Sequence, residues 1–89
     1  MADIKSIYNS FDELYETMLR GNEIEFEYDR KCYFLLPYFE QNRVVGTMIG
    51  EKDKEEVVCM SKEELYNLKI ANSLFGEIVS RINILWYDF

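Results

Sequence analysis

There is no histidine anywhere in these 89 residues. That removes the commonest general base, the usual activator of a serine or cysteine nucleophile, and the commonest transition-metal ligand. Cysteine is scarce as well. Cys32 and Cys59 form neither a CxxC pair nor a disulfide framework. Both sit in apolar runs and are expected to be packed thiols. There is one proline and there are four glycines, too few for a flexible linker or a low-complexity segment. No apolar run approaches the ~18 residues of a membrane-spanning helix. The opening "MADIKSIYNS" has neither a basic n-region nor an apolar h-region. A cytoplasmic protein, without a membrane partner, is the expectation. Positive charge is also short: ten basic side chains stand against seventeen acidic ones. Direct nucleic-acid binding needs a basic footprint, and none is visible.

Apolar and aromatic residues are abundant. Hydrophobic residues make up 48% of the chain and aromatic ones 16%. Large rings bury much area each and offset the entropy of ordering a short chain. Residues 1–89 are therefore read as a single globular domain. The net charge of −7 is uneven, with a balance of −5 over residues 1–27 and −2 over the rest.

Helical spacing connects Ile4, Ile7, Tyr8, Phe11, Leu14, Tyr15, Met18 and Leu19. Ser10 with Glu13 is a capping box and Gly21 a helix stop, so the helix covers about 11–20. Residues 4–9 are read as an earlier turn or an extension of that helix. Then Glu23, Glu25 and Glu27 alternate with Ile24, Phe26 and Tyr28, the period of a strand with one buried face. Residues 29–31 form a turn. Cys32–Phe39 is a strand apolar on both faces, central or covered on each side. Within it Pro37 suggests a strand end, a bulge or an edge. Residues 40–42 turn, Arg43–Ile49 is a third strand, and Gly46 marks a bulge or a close backbone approach. After the charged turn 50–54, Glu56–Met60 is the fourth strand. Ser61 with Glu64 caps a helix through about Leu68, with Leu65 and Leu68 inward. Asn72 or Ser73 caps a third helix carrying Leu74, Phe75, Ile78 and Val79. In the tail, β-branched and aromatic content favours a strand with Ile82, Ile84 and Trp86 on one face. The alternative is a helical stripe of Ile82, Trp86 and Phe89. The fold class is α+β: an N-terminal helix packed on a four-stranded antiparallel meander, two short C-terminal helices and a last strand.

The glutamate row admits three readings. It is a solvated face relieved by Lys31, Arg43 and other bases on neighbouring strands. It is the charged guard of an edge strand. Or it is a surface for a basic partner. Since the second strand is apolar on both sides, part of it shares the glutamate face. That face is then either roofed by a helix or left open as a contact site, a dimer interface included.

Motifs of chemistry are missing. "EKDKEE", residues 51–56, lacks the ligand alternation of a calcium loop, and its lysines oppose a cation. "GTMIG", residues 46–50, is neither a phosphate loop nor a dinucleotide fingerprint. Glu23, Glu25 and Glu27 stand ~6.5–7 Å apart along one strand face, a loose cage unless Asp88 or Glu77 adds a ligand.

The stretches "GNEIEFEYDRKCYFL" and "SKEELYNLKIANSLFGEI" resemble small uncharacterised α+β proteins of low-GC Gram-positive bacteria and their phages. In those, a strand pair with an aromatic and basic turn precedes an S-x-E-E-L helix. The resemblance covers residues 21–80. It implies an α+β domain, brings no catalytic residues, and points to a phage or mobile element.

The functional expectation is a non-enzymatic domain without cofactor or metal that acts by protein–protein contact. Glu23, Glu25, Glu27, Tyr38 and Phe39 are its candidate partner-binding residues, and a homodimer is one form of it. One alternative is an acidic inhibitor that occupies the basic groove of a nucleic-acid-binding protein. Another is a carboxylate- or metal-dependent enzyme.

Overall fold

The structure, a computed structural model, describes residues 4–5 and 8–88. Its elements in chain order are β1 (Ile4–Lys5), α1 (Phe11–Leu19), β2 (Glu23–Tyr28), β3 (Lys31–Glu40), β4 (Arg43–Glu51), β5 (Glu56–Cys59), α2 (Lys62–Tyr66), β6 (Lys69–Ile70), β7 (Ser73–Leu74), α3 (Phe75–Ile78), a 3₁₀ turn (Val79–Arg81) and β8 (Asn83–Asp88). The α+β class and the meander β2–β5 are as the residue pattern predicts. The last strand exists too, and it enlarges the sheet. β8 lies antiparallel between β1 and β2, giving the order β1-β8-β2-β3-β4-β5.

Two expectations fall with that insertion. β2 is not an edge strand, since β3 and β8 pair with it on either side. Residues 4–5 are strand, not a turn or helix extension, because β8 supplies a ladder that local periodicity does not announce. Ile7 and Phe89, also read into helical stripes, lie outside the described residues.

α1 is bounded by its own chemistry. The Glu13 amide donates to Ser10 Oγ at 3.2 Å, satisfying one of the amides that a helix start leaves free. At the other end Gly21 takes φ +88°. The Gly21 amide donates to Met18 O and the Asn22 amide to Thr17 O, the paired bonds of a Schellman stop. α2 opens the same way, with the Glu64 amide on Ser61 Oγ at 3.1 Å, but ends at Tyr66 rather than Leu68. α3 has no side-chain cap. Of the two residues expected to cap it, Asn72 stands with Ala71 at positive φ in the two-residue turn between β6 and β7, and Ser73 lies in β7.

Phe11, Leu14 and Met18 point from α1 onto Ile24 and Phe26 of β2, Tyr33 and Leu35 of β3, and Ile49 of β4. Leu65, Phe75, Ile78, Ile82 and Ile84 join the same core, as do Tyr8, Cys59, Ile70 and Val79. Its rings interlock: Phe26 stacks on Tyr33 at 5.2 Å, lies 5.7 Å from Phe75, and Phe75 meets Phe11 edge-on at 6.2 Å. These helices lie on one face of the sheet. The other face has no helix on it among the described residues.

Candidate protein-binding face

Register decides what stands on that open face. Directly opposed residues in an antiparallel pair share a face. Glu25 opposes Phe34 on one side and Trp86 on the other, while Phe34 opposes Gly50 and Gly50 opposes Glu56. One rank across the sheet therefore reads Trp86, Glu25, Phe34, Gly50, Glu56. The rank on one side of it holds Asn83, Glu27 and Cys32. The rank on the other holds Leu36, Met48 and Val58, with Glu23 beside Leu36 one step past the last β2–β3 pair. Tyr38 and Gly46 follow. The outward row of β3 is thus Cys32, Phe34, Leu36 and Tyr38, all half-buried. Bounded by Cys32, Phe34, Leu36 and Trp86, with Glu23 and Glu25 on one flank and Lys52 on another, a shallow depression of about 420 Å³ opens over β2 and β3.

The residues singled out from sequence separate here. Glu23, Glu25 and Glu27 form one row, and Tyr38 shares their face. Phe39 does not. Its ring lies near Gly21, 3.6 Å from where a Cβ there would stand, on the helix side of the sheet, and it is 53% exposed. The bulge that shifts the β3–β4 register between Tyr38 and Phe39 sits there. Gly46 also proves to be a close approach, since a Cβ on it would come 2.5 Å from Cys59 O. Pro37 follows the last β2–β3 pair by two residues and sits mid-strand in β3.

Trp86 is the residue whose placement sequence reasoning missed. Strict alternation puts it with Ile82 and Ile84, which are buried. A bulge at Leu85 instead shifts the β2–β8 register, so Phe26 opposes Ile84 while Glu25 opposes Trp86. The indole is thereby turned to the open face, 48% exposed. The signal available in the sequence was only the both-sided apolar character of β3, which required some greasy counterpart to the glutamates.

Among the described residues no ion pair relieves the carboxylate row. Lys31 opposes Tyr28 on the other face, and Arg43 opposes Glu40 at the far end of the hairpin. Among the described residues the one ion pair is Lys62–Asp12 at 2.7 Å, on the helix side. That contact, chiefly its hydrogen bond, raises the Lys62 pKa. The pair is solvent-exposed and contributes little to stability.

The two cysteines differ. Cys59 is buried as expected, and burial, then the Glu64 charge, pushes its thiol up from the ordinary value, away from the reactive thiolate. Cys32, also expected to be packed away, stands half-exposed on the open face because β3 has no layer above that side. Burial likewise raises Tyr33, with Glu51 adding to it. Among the described residues no three His, Cys, Asp or Glu side chains gather to hold a metal ion, and no helix is long and apolar enough to cross a membrane. A second hollow, about 360 Å³, opens where α1 begins and holds Asp12 and Glu77 but no base.

No protein-family model, curated protein or solved structure matches this chain.

Proposed function

We propose that this domain is a non-enzymatic contact module whose open sheet face binds another protein. The observation that carries the reading is the uncovered apolar row Cys32, Phe34, Leu36, Tyr38 with Met48 and Trp86, set beside three carboxylates that have no cation partner among the described residues. Contiguous apolar surface rimmed by charge is the mark of an interaction site, and aromatic side chains supply much of the energy at such sites. Charge selects the partner. Packing this face on its own copy brings two carboxylate rows into one desolvated contact, which disfavours a homodimer. A partner with apolar side chains and basic ones between them satisfies both components. A nucleic-acid mimic asks for an unbroken acidic surface, whereas here rings stand on both sides of Glu25.

The test is affinity capture with the immobilised domain from an extract of its source cell, at low and high salt. Three baits are compared: the parent chain, a Phe34→Ser/Leu36→Gln chain altered on the face, and a Leu19→Gln chain altered at the exposed end of α1. The expected result is a protein held by the parent and by Leu19→Gln, lost with the face variant, and released by salt. Equal retention by the face variant would overturn the reading.

A further inference from the structure

The position of Glu25 is unusual in one respect. It stands between two rings, Trp86 on β8 and Phe34 on β3, each its direct cross-strand neighbour. Adjacent strands lie ~4.8 Å apart, so a ring-bearing residue stands on each side of Glu25 along one rank of the sheet. Glu23 follows two residues along the same strand face, and Leu36 and Cys32 line the depression beside them. Lys52, whose amide donates to Cys32 O, closes the Cys32 end, so a cation is favoured toward Glu23 and Glu25 and disfavoured beside Cys32.

From this arrangement, and resting on the contact face proposed above, we infer that the depression seats an arginine side chain of the partner protein, its guanidinium against the Glu25 carboxylate and the Trp86 ring, its methylene stem on Phe34 and Leu36. Each part of that side chain meets its complement. The guanidinium is planar and weakly hydrated, and it stacks on aromatic faces while donating to carboxylates, whereas an ammonium is compact and strongly hydrated. The apolar walls suit the stem, which is why neither a bare metal cation nor a neutral apolar side chain fits as well. A second copy of this chain is the less favourable occupant, because it brings its own acidic row with it.

The test uses three capped tripeptides as probes: acetyl-Leu-Arg-Leu-amide, acetyl-Leu-Lys-Leu-amide and acetyl-Leu-Gln-Leu-amide. Each is titrated into the ¹⁵N-labelled full chain at low salt. The readout is the indole N–H of Trp86, the one tryptophan in the sequence, together with the Glu25 and Phe34 amides. The arginine peptide is expected to bind tightest, about threefold over lysine through stacking. Glu25→Gln should weaken the arginine peptide about fivefold and leave the glutamine peptide unchanged. Trp86→Leu should abolish the preference for arginine over lysine. Equal binding of the arginine and glutamine peptides would overturn the inference while leaving the apolar contact face standing. Shifts spread over every carboxylate of the chain would overturn it as well, as would no shift with any probe. Dilution-dependent shifts at residues 25, 34 and 86 in the free protein would give the face to a second copy and overturn it too.

Discussion

Thr47 sits on the helix side of β4, opposite Pro37 and Cys59, and is 1% exposed. Its Oγ1 is buried with no hydrogen-bond partner among the described residues. A buried hydroxyl without a partner forfeits its water and regains nothing. Thr47→Val keeps the branched shape and removes that cost. It should stabilise the fold by about 1 kcal/mol in chemical denaturation, while Thr47→Ser, which keeps the hydroxyl and loses the methyl, should destabilise it. A Val variant no more stable than the parent would show that the hydroxyl is satisfied in solution. Burial on the same side of the sheet raises the Cys59 pKa, while the open side leaves Cys32 half-exposed. Two thiols with similar sequence surroundings thus differ through which face of a strand each occupies.

At the scale of elements, three of the four hairpins are made by two-residue turns whose central residues both take positive φ: Asp29–Arg30, Gln41–Asn42 and Ala71–Asn72. Such turns match the strand twist, but none here contains the glycine that makes positive φ inexpensive. Gln41→Asn with Asn42→Gly, the preferred pair for this turn, should stabilise the β3–β4 hairpin by about 1 kcal/mol. In a domain of this size that corresponds to a melting temperature higher by roughly 4–8 °C. An unchanged or lower midpoint would mean that tertiary contacts of Gln41 or Asn42 outweigh the backbone. The turns at 29–30 and 41–42 were legible in the sequence as polar clusters, whereas the one at 71–72 was read as the start of a helix. Their boundaries were less so: Lys31 and Glu40 belong to strands, because a two-residue turn needs only its central pair.

The described residues are asymmetric about the sheet, with one face roofed by α1, α2 and α3 and no helix among them on the other. Two phenylalanines near one another measure the difference. Phe26 is fully buried under the helices, whereas Phe34 is half-exposed on the open side. Phe26→Ala should cost about 3–5 kcal/mol, a large share of the 5–15 kcal/mol a domain commonly has. Phe34→Ala should cost about 1 kcal/mol or less. Urea midpoints of the two variants check this. If they prove equally destabilised, the outer face is covered in solution, and the open contact surface does not exist.

Local chemistry in the chain was enough to determine the helix with its Ser10 cap and Gly21 stop, the four-strand meander, the inward pair Ile24 and Phe26, and the absence of histidine chemistry. These follow from period, capping and composition, which act over a few residues. Only the tertiary structure decided that β8 enters the sheet between β1 and β2, that the bulge at Leu85 turns Trp86 out beside Glu25, and that the second face of β3 is left without a roof. Those outcomes depend on pairing between segments some sixty residues apart, such as Glu25 with Trp86. A one-residue shift in such a pairing moves a side chain from core to surface at little local cost, so no window of sequence reports it.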